Sequence, residues 1–205
     1  MSEYALNAFK WSALNRMSRP KSPAKRTAIL EATLEVFAER GYAHTPTSAI
    51  SKAAGVAEGT LFTYFDSKDE LINELYRALR KEFDRELEGY PFDGDARARV
   101  RFIWDRFLRL ARMQPQRLRV IKQLRASGRL YKEADAPTLT LSELLRSTKE
   151  AAEGERLKAV PPELLVILFR AQAEATVDYI AAHPGEEAAA SEAGFFLFWR
   201  GLTGQ

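Results

Sequence analysis

The segment 41–71 contains two short helical patterns joined by a tight turn, and a third helical pattern follows at once. The turn is Ala54-Gly55-Val56, where the chain must reverse and the glycine can adopt a positive φ without steric strain. Ile50 and Leu61 supply inward-facing apolar side chains on either side of this turn. Two short helices that cross at such a turn are typical of a helix-turn-helix, which places its second helix in the major groove of DNA. The segment therefore predicts a nucleic-acid function as well as a fold.

Local capping signals predict where these helices begin and end. Thr45 is the predicted N-cap of the first helix. Pro46 would be the first helical residue, a position whose N–H has no partner within the helix, so the absence of an N–H in proline costs no hydrogen bond. The second helix is predicted over Glu58 to Tyr64. Ser67 and Glu70 match a capping box, which predicts the start of a third helix.

These residues resemble the DNA-binding domain of TetR/AcrR-type transcriptional regulators. The resemblance covers residues 24–75 with unbroken spacing, and beyond them it extends only to length and helical character. It is carried by Ile29, Ala32, Phe37, Gly41-Tyr42, Thr45, Ile50, Ala54-Gly55-Val56, Gly59-Thr60-Leu61-Phe62, Tyr64-Phe65, Ser67-Lys68 and Glu70-Leu71. The resemblance implies an all-α homodimer with an N-terminal DNA-binding domain and a C-terminal domain that dimerises and usually binds a small effector.

Three positions depart from the family pattern. Ala57 stands where serine is usual before the recognition helix, and the missing cap should weaken that helix end by about 1 kcal/mol. Ser51 stands where alanine is usual. Phe62 stands where tyrosine is common, and it lacks a hydroxyl that could donate to a phosphate. None of these changes interrupts the motif.

Apolar periodicity and turn signals divide the chain into three regions. Residues 1–22 are predicted to be a flexible basic arm, residues 23–88 a helix-turn-helix domain with its connecting helix, and residues 89–205 a ligand-binding and dimerisation domain. Outside the motif, helices are predicted over residues 23–40, 68–87, 96–113, 115–127, 139–152, 162–182 and 186–202. Strand signals are absent, so the predicted fold class is all-α.

The sequence gives little support to an enzyme. It contains no G-x-S-x-G, no phosphate-binding loop and no G-x-G-x-x-G. His44 and His183 both lack a glutamate three positions earlier, so the ligand pattern of a di-metal helical bundle is missing. We predict no catalytic residue, no metal and no cofactor. There is no cysteine, and no apolar run approaches the ~20 residues that span a bilayer, so a cytoplasmic location without membrane association is expected.

Nine residues are predicted to contact DNA. Lys68 lies at a helix N-terminus, where its charge and the backbone N–H groups together favour a phosphate, and the resemblance implies the same role for Thr60 and Tyr64. Glu58 either accepts from cytosine N4 or only favours the helix dipole. The full predicted set is Thr47, Ser48, Glu58, Gly59, Thr60, Phe62, Thr63, Tyr64 and Lys68. A solvated lysine and a packed tyrosine are the alternatives at Lys68 and Tyr64.

The last two predicted helices carry the expected dimer interface. Small residues in the first permit close helix approach, whereas the second has aromatic side chains on several sides. A helix that is apolar all round is buried all round, which for a terminal helix predicts a covering partner chain, with burial inside one subunit as the alternative. The resemblance implies a four-helix dimer interface here. The predicted interface residues are Ala171, Ala175, Phe195, Phe196 and Trp199.

A small-molecule effector is the remaining expected partner. Its predicted pocket is lined by Trp104, Phe107, Leu124, Tyr131, Phe169 and Gln172, for which ordinary core packing is the alternative. Residues 97–132 hold 12 basic residues and one acid, which would suit an apolar chain with an anionic head. The alternatives are a solvated basic face or one that steers the protein toward DNA.

The predicted function is therefore a dimeric, sequence-specific DNA-binding regulator, a repressor released from its operator by a small molecule. A constitutive architectural DNA-binding protein without an effector site is the alternative, and a saturable small-molecule effect on DNA release separates the two.

Overall fold

The computed structural model describes residues 21–91, 93–135 and 160–203, in which all regular secondary structure is helical. In chain order the helices are α1 Pro23–Arg40, α2 Thr47–Ala53, α3 Glu58–Tyr64, α4 Lys68–Glu86, α5 Ala96–Met113, α6 Pro115–Ala126, α7 Lys132–Asp135, α8 Pro162–Ala182 and α9 Glu187–Thr203. The all-α prediction, with a helix-turn-helix followed by a helical domain, is confirmed. The predicted helix over 139–152 and residues 1–20 of the predicted basic arm lie outside the described residues.

The chain divides into two compact units, residues 1–71 and 72–205. This division falls in the first turn of α4, whereas the sequence signals for a functional boundary lie at the end of that helix, around Gly89. α4 is thus the continuous helix through which the chain passes from one unit to the next.

The first unit is built from α1, α2, α3 and the start of α4. Its core contains fully buried side chains from each of these elements, among them Phe37, Ile50, Leu61 and Leu71. The turn between α2 and α3 is as predicted, because Gly55 has a φ of 65° and follows directly on the end of α2. Burial of one apolar residue in each short helix, Ile50 in α2 and Leu61 in α3, holds these helices in place.

Two of the predicted caps differ in the structure. The prediction of Thr45 as an N-cap is wrong, because α2 begins at Thr47 with Pro46 as its N-cap. Thr45 is buried, and its hydroxyl donates to the carbonyl of Gly41 at 2.8 Å, so it stabilises the loop before the helix. The predicted capping box is half formed. Ser67 Oγ accepts from the N–H of Glu70 at 3.0 Å, but the Glu70 carboxylate accepts from the N–H of Asp66 at 2.5 Å, one residue earlier than expected.

The second unit packs around a cluster of aromatic side chains from α5, α8 and α9. Trp104 is fully buried at its centre, with ring contacts to Phe169 at 5.9 Å and to Phe198 at 6.3 Å between centroids. Gly194 allows α9 to approach closely, since a Cβ there would lie 2.4 Å from Thr176 Oγ1 and 2.8 Å from Trp104 Cζ2. None of the helices in the described ranges has the length and apolar character needed to cross a membrane.

Candidate nucleic-acid interface and ligand cavity

The surface of α3 is available for recognition because this helix contributes little to the core. Leu61 is its one buried residue. Glu58, Gly59, Phe62 and Thr63 are exposed, while Thr60 and Tyr64 are half-buried. Ala57 is the N-cap and makes no side-chain hydrogen bond, as predicted from the departure at this position. The residues predicted to approach base edges therefore share one exposed helix surface.

A hydrogen bond joins the first turns of α2 and α3. Thr47 Oγ1 donates to Glu58 Oε1 at 2.6 Å. A carboxylate has two acceptor oxygens, so the second oxygen of Glu58 can still accept from cytosine N4. Both residues are predicted to contact DNA, but the sequence does not predict that they pair, because they are eleven positions apart and no local signal connects them.

Lys68 makes internal contacts at the other end of the motif. Its Nζ donates to the carbonyl oxygens of Thr45 at 2.6 Å and Tyr42 at 3.2 Å, and it lies 4.9 Å from the centroid of the Tyr42 ring. The lysine thus holds the first turn of α4 against the loop between α1 and α2. Its predicted phosphate contact stays a prediction, and any substitution there also removes these internal contacts.

Two further residues of the predicted DNA set have internal partners. Tyr64 Oη accepts from the N–H of Ser22 at 2.8 Å, and a phenol that accepts one hydrogen bond can still donate its own proton to a phosphate. The Thr63 hydroxyl donates to the carbonyl of Gly59 at 2.9 Å, within the same helix. Ser48 is exposed near the start of α2.

The second unit contains a cavity of about 120 Å³ between α4, α5, α6 and α8. Its apolar wall includes Leu79, Phe83, Phe107, Leu110, Ile121 and Phe169. Of the predicted pocket residues, Phe107 and Phe169 line this cavity. Trp104 and Leu124 are instead fully buried, which is the core-packing alternative, while Tyr131 is 44% exposed and Gln172 lies outside the lining.

Known proteins share both the motif and the fold. The family model described as "Bacterial regulatory proteins, tetR family" matches residues 29–75. The crystal structure of a tetR family transcription regulator from Shewanella sp. PV-4 matches with a TM-score of 0.75 at 28% identity, over 87% of this chain and 97% of that one. Residues 29–75 of this chain are therefore a TetR-family DNA-binding domain.

Two curated relatives match this chain over shorter stretches. The fatty acid metabolism regulator protein of Bacillus subtilis is 38% identical over 64 residues, which are 31% of this chain and 33% of that protein. The HTH-type transcriptional repressor KstR2 of Rhodococcus jostii is 40% identical over 55 residues, 27% of each chain. The matched part thus spans a third or less of these relatives' own length.

Ion pairs neutralise at least half of the twelve basic residues in the segment 97–132. Arg101 pairs with Glu192 and, at 2.9 Å, with Asp105. Its hydrogen bond to Glu192 lowers the pKa of that carboxyl below the ordinary value of 4.5. Further pairs are Arg112–Glu187 at 2.8 Å, Lys122–Asp178 at 2.7 Å, Arg109–Glu86, Arg117–Glu82 and Arg125–Glu174. The local surplus of positive charge is therefore matched by acids on α4, α8 and α9.

An apolar surface remains exposed on the last two helices, α8 and α9. We call it the C-terminal apolar face; it comprises Leu164, Ile167, Leu168, Ala171, Ala175, Phe196 and Leu197, all of which are exposed. Ala171, Ala175 and Phe196, three of the five predicted interface residues, belong to this face. The assignment of Phe195 is not supported, because its ring is only 2% exposed and packs 6.1 Å from Trp104 in the subunit core. Trp199 is half-buried and stacks on Phe195.

Proposed function

We propose that this chain is a sequence-specific DNA-binding transcriptional regulator, a repressor that acts as a homodimer and is released from its operator by a small molecule. The observation that carries the proposal is the exposed surface of α3, which holds one side chain in the core and leaves Glu58, Gly59, Phe62 and Thr63 outward. A helix in a helix-turn-helix with such a surface is suited to the major groove. Because the partner is the chromosome, we propose a cytoplasmic location.

Dimerisation is supported by the C-terminal apolar face. Contiguous exposed apolar residues on two neighbouring helices are unusual on a monomer and mark an interaction site. The same face on a second copy would be self-complementary about a two-fold axis, which gives a closed dimer. Two α3 helices related by this axis would read two half-sites.

Effector release is supported by the cavity in the second unit. Mostly apolar cavities with a few polar groups are the usual binding sites for small molecules. A ligand that binds better to a conformation unsuited to the operator must lower operator affinity by the same coupling free energy. The anionic head group predicted from the basic stretch has less support, since at least half of its twelve basic residues are engaged in ion pairs.

Selection from random duplexes tests the proposal. The purified chain should enrich a defined site, and Glu58→Gln should lose about 1–3 kcal/mol of discrimination at one base pair per half-site while leaving the other positions unchanged. Glu31→Gln, which removes the same charge from an exposed position on α1, is the matched control and should select the wild-type site. Binding without any sequence preference would instead favour an architectural DNA-binding protein.

A further inference from the structure

We infer that the cavity of the second unit binds an unbranched, uncharged aliphatic molecule that carries an oxygen-bearing group at each end. The inference rests on the proposed function in taking this molecule as the effector, and it extends that proposal by giving the chemical class of the ligand.

Two buried polar atoms in the cavity lining are unsatisfied. Among the described residues, neither Gln114 Oε1 nor Arg125 Nε has a hydrogen-bond partner, although both residues line the cavity. Folded proteins retain few such groups, because each buried donor or acceptor without a partner is destabilising. The first atom is an acceptor and the second carries a proton to donate. A ligand that donates to Gln114 and accepts from Arg125 would satisfy both.

The two atoms belong to opposite ends of α6. Gln114 is its N-cap, and Arg125 lies in its last turn. Eleven residues at 1.5 Å rise per residue separate their Cα atoms by roughly 16 Å along the helix axis. A single hydroxyl group is too small to bridge that distance. A single ligand that satisfies both atoms therefore needs two polar groups, one at each end of an elongated body.

The shape of the cavity favours an unbranched body. Residues Gln114, Arg117, Leu118, Ile121 and Arg125 all line it, and their spacing of three, four, seven and eleven positions describes one stripe along the whole of α6. The cavity holds only about 120 Å³ and is partly open to solvent, so a body that follows this stripe must be slim. A single aliphatic chain fits a narrow apolar channel better than fused rings do.

The charge at Arg125 favours an uncharged oxygen. Arg125 Nη2 forms an ion pair with Glu174, and the two side chains are only 16% and 15% exposed. A ligand carboxylate at Nε would lie beside the carboxylate of Glu174 in a poorly solvated place, where like charges repel strongly. A hydroxyl or carbonyl oxygen accepts the same hydrogen bond without adding charge. At the other end of the cavity, Arg117 is paired with Glu82.

Calorimetric titration of the full chain with dodecanol, α,ω-dodecanediol and dodecanoate tests the inference. The single hydroxyl of dodecanol is expected at the charged donor of Arg125. The second hydroxyl of the diol donates to Gln114 and should make the diol bind about fivefold tighter, which corresponds to one net hydrogen bond. Dodecanoate should bind more weakly than dodecanol. A diol that binds no tighter than dodecanol, or a carboxylate that binds as tightly as the alcohol, overturns the inference.

Two conservative variants assign the contacts. Gln114→Met keeps the side-chain length, removes the acceptor and should abolish the preference for the diol. Arg125→Lys keeps a cation opposite Glu174, removes the Nε donor and should weaken dodecanol and the diol together. Gln116→Met and Arg119→Lys, at exposed positions of α6 outside the cavity lining, are the matched controls and should behave as wild type. The ratio of two affinities within one variant does not depend on its folded fraction, so retention of the diol preference by Gln114→Met contradicts the inference even if the variant is destabilised.

Operator binding is measured separately, so the two proposals fail separately. Release of the operator by other compounds, with no diol binding, leaves the proposed function intact and removes the ligand assignment. Specific diol binding by a chain that recognises no operator leaves the ligand assignment intact and contradicts the proposed function.

Discussion

At Gly194, a single added methyl group would meet two neighbouring helices at once. The Cβ of an alanine there would lie 2.4 Å from Thr176 Oγ1 on α8 and 2.8 Å from the ring of the fully buried Trp104 on α5. Because neither neighbour can withdraw without disturbing the core, Gly194→Ala should lower the free energy of unfolding by about 1–3 kcal/mol, measured by urea denaturation.

Gly201→Ala is the control in the same helix, because a Cβ at this position would have no tertiary neighbour within 4 Å. Alanine has a higher helix propensity than glycine, so this variant should gain up to about 1 kcal/mol. Equal effects at the two positions would mean that α9 can shift outward without loss.

Lys68 has two expected roles that one substitution can separate. Lys68→Ala removes the bonds to the carbonyls of Thr45 and Tyr42, so it should lower the melting temperature of the chain. If the lysine also neutralises a phosphate, the same variant should flatten the plot of log binding constant against log salt concentration. The slope should fall by about one for each subunit that is bound to the operator. Lys52→Ala, at an exposed position on α2, is the control for loss of charge. A lower melting temperature with an unchanged salt slope would leave Lys68 a purely internal role.

Local signals predicted single residues well where the partner is also local. The positive φ of Gly55, the uncapped Ala57 and the hydroxyl cap at Ser67 follow from neighbours within a few positions. The prediction of Thr45 as an N-cap is wrong because a threonine hydroxyl can also donate to a carbonyl earlier in the chain, and here it donates to Gly41. The Thr47–Glu58 bond depends on how two helices cross, which no local pattern specifies.

Helix limits were predictable, but the direction in which each helix faces was not. α5 and α8 have the predicted bounds, because proline, glycine and apolar spacing mark both ends. α9 is apolar on all sides, so its sequence cannot tell core from surface. The packing of α5 and α8 decides that Phe195 and Phe198 point into the subunit while Phe196 and Leu197 point out.

If the chain dimerises through the C-terminal apolar face as proposed, Phe196→Glu should convert the dimer to a monomer, as measured by sedimentation equilibrium. Phe196 is 48% exposed in a single chain, so a charge there leaves the subunit fold intact but would be buried without a partner in the dimer, at a cost of several kcal/mol. Met113→Glu, an exposed apolar position on α5 outside the C-terminal apolar face, is the control and should remain dimeric. A stable Phe196→Glu dimer with native helical content would place the interface on another surface.

At the scale of the whole molecule, the sequence shows how much charge each segment carries but not which residues form ion pairs. Twelve basic residues between positions 97 and 132 suggested an anion site, whereas many of them meet carboxylates from α4, α8 and α9. The cavity was likewise only partly predictable. Phe107 and Phe169, two of the predicted pocket residues, line the cavity. Leu79 and Phe83 of α4 line it too, but the apolar stripe of a helix has the same pattern whether it faces a core or a cavity.

The selected operator should be an inverted repeat. A homodimer with one α3 per subunit has two-fold symmetry, so its two half-sites should be related in the same way and spaced by about one turn of DNA or a multiple of it. Inserting half a turn between the half-sites should cost most of the affinity in an electrophoretic mobility assay, whereas inserting a whole turn should restore part of it. Equal binding to an isolated half-site and to the full repeat would argue against a dimer on DNA.

The seven residues of α3 have a consequence for how such a regulator can diverge. Leu61 alone is buried, so most positions of this helix can mutate without entering the core and without changing the stability on which the rest of the chain depends. After gene duplication, one copy could acquire a new operator through a few substitutions at Glu58, Gly59, Phe62 or Thr63 while keeping the proposed ligand cavity and the C-terminal apolar face. The two paralogues would then differ in target genes and respond to the same chemical signal.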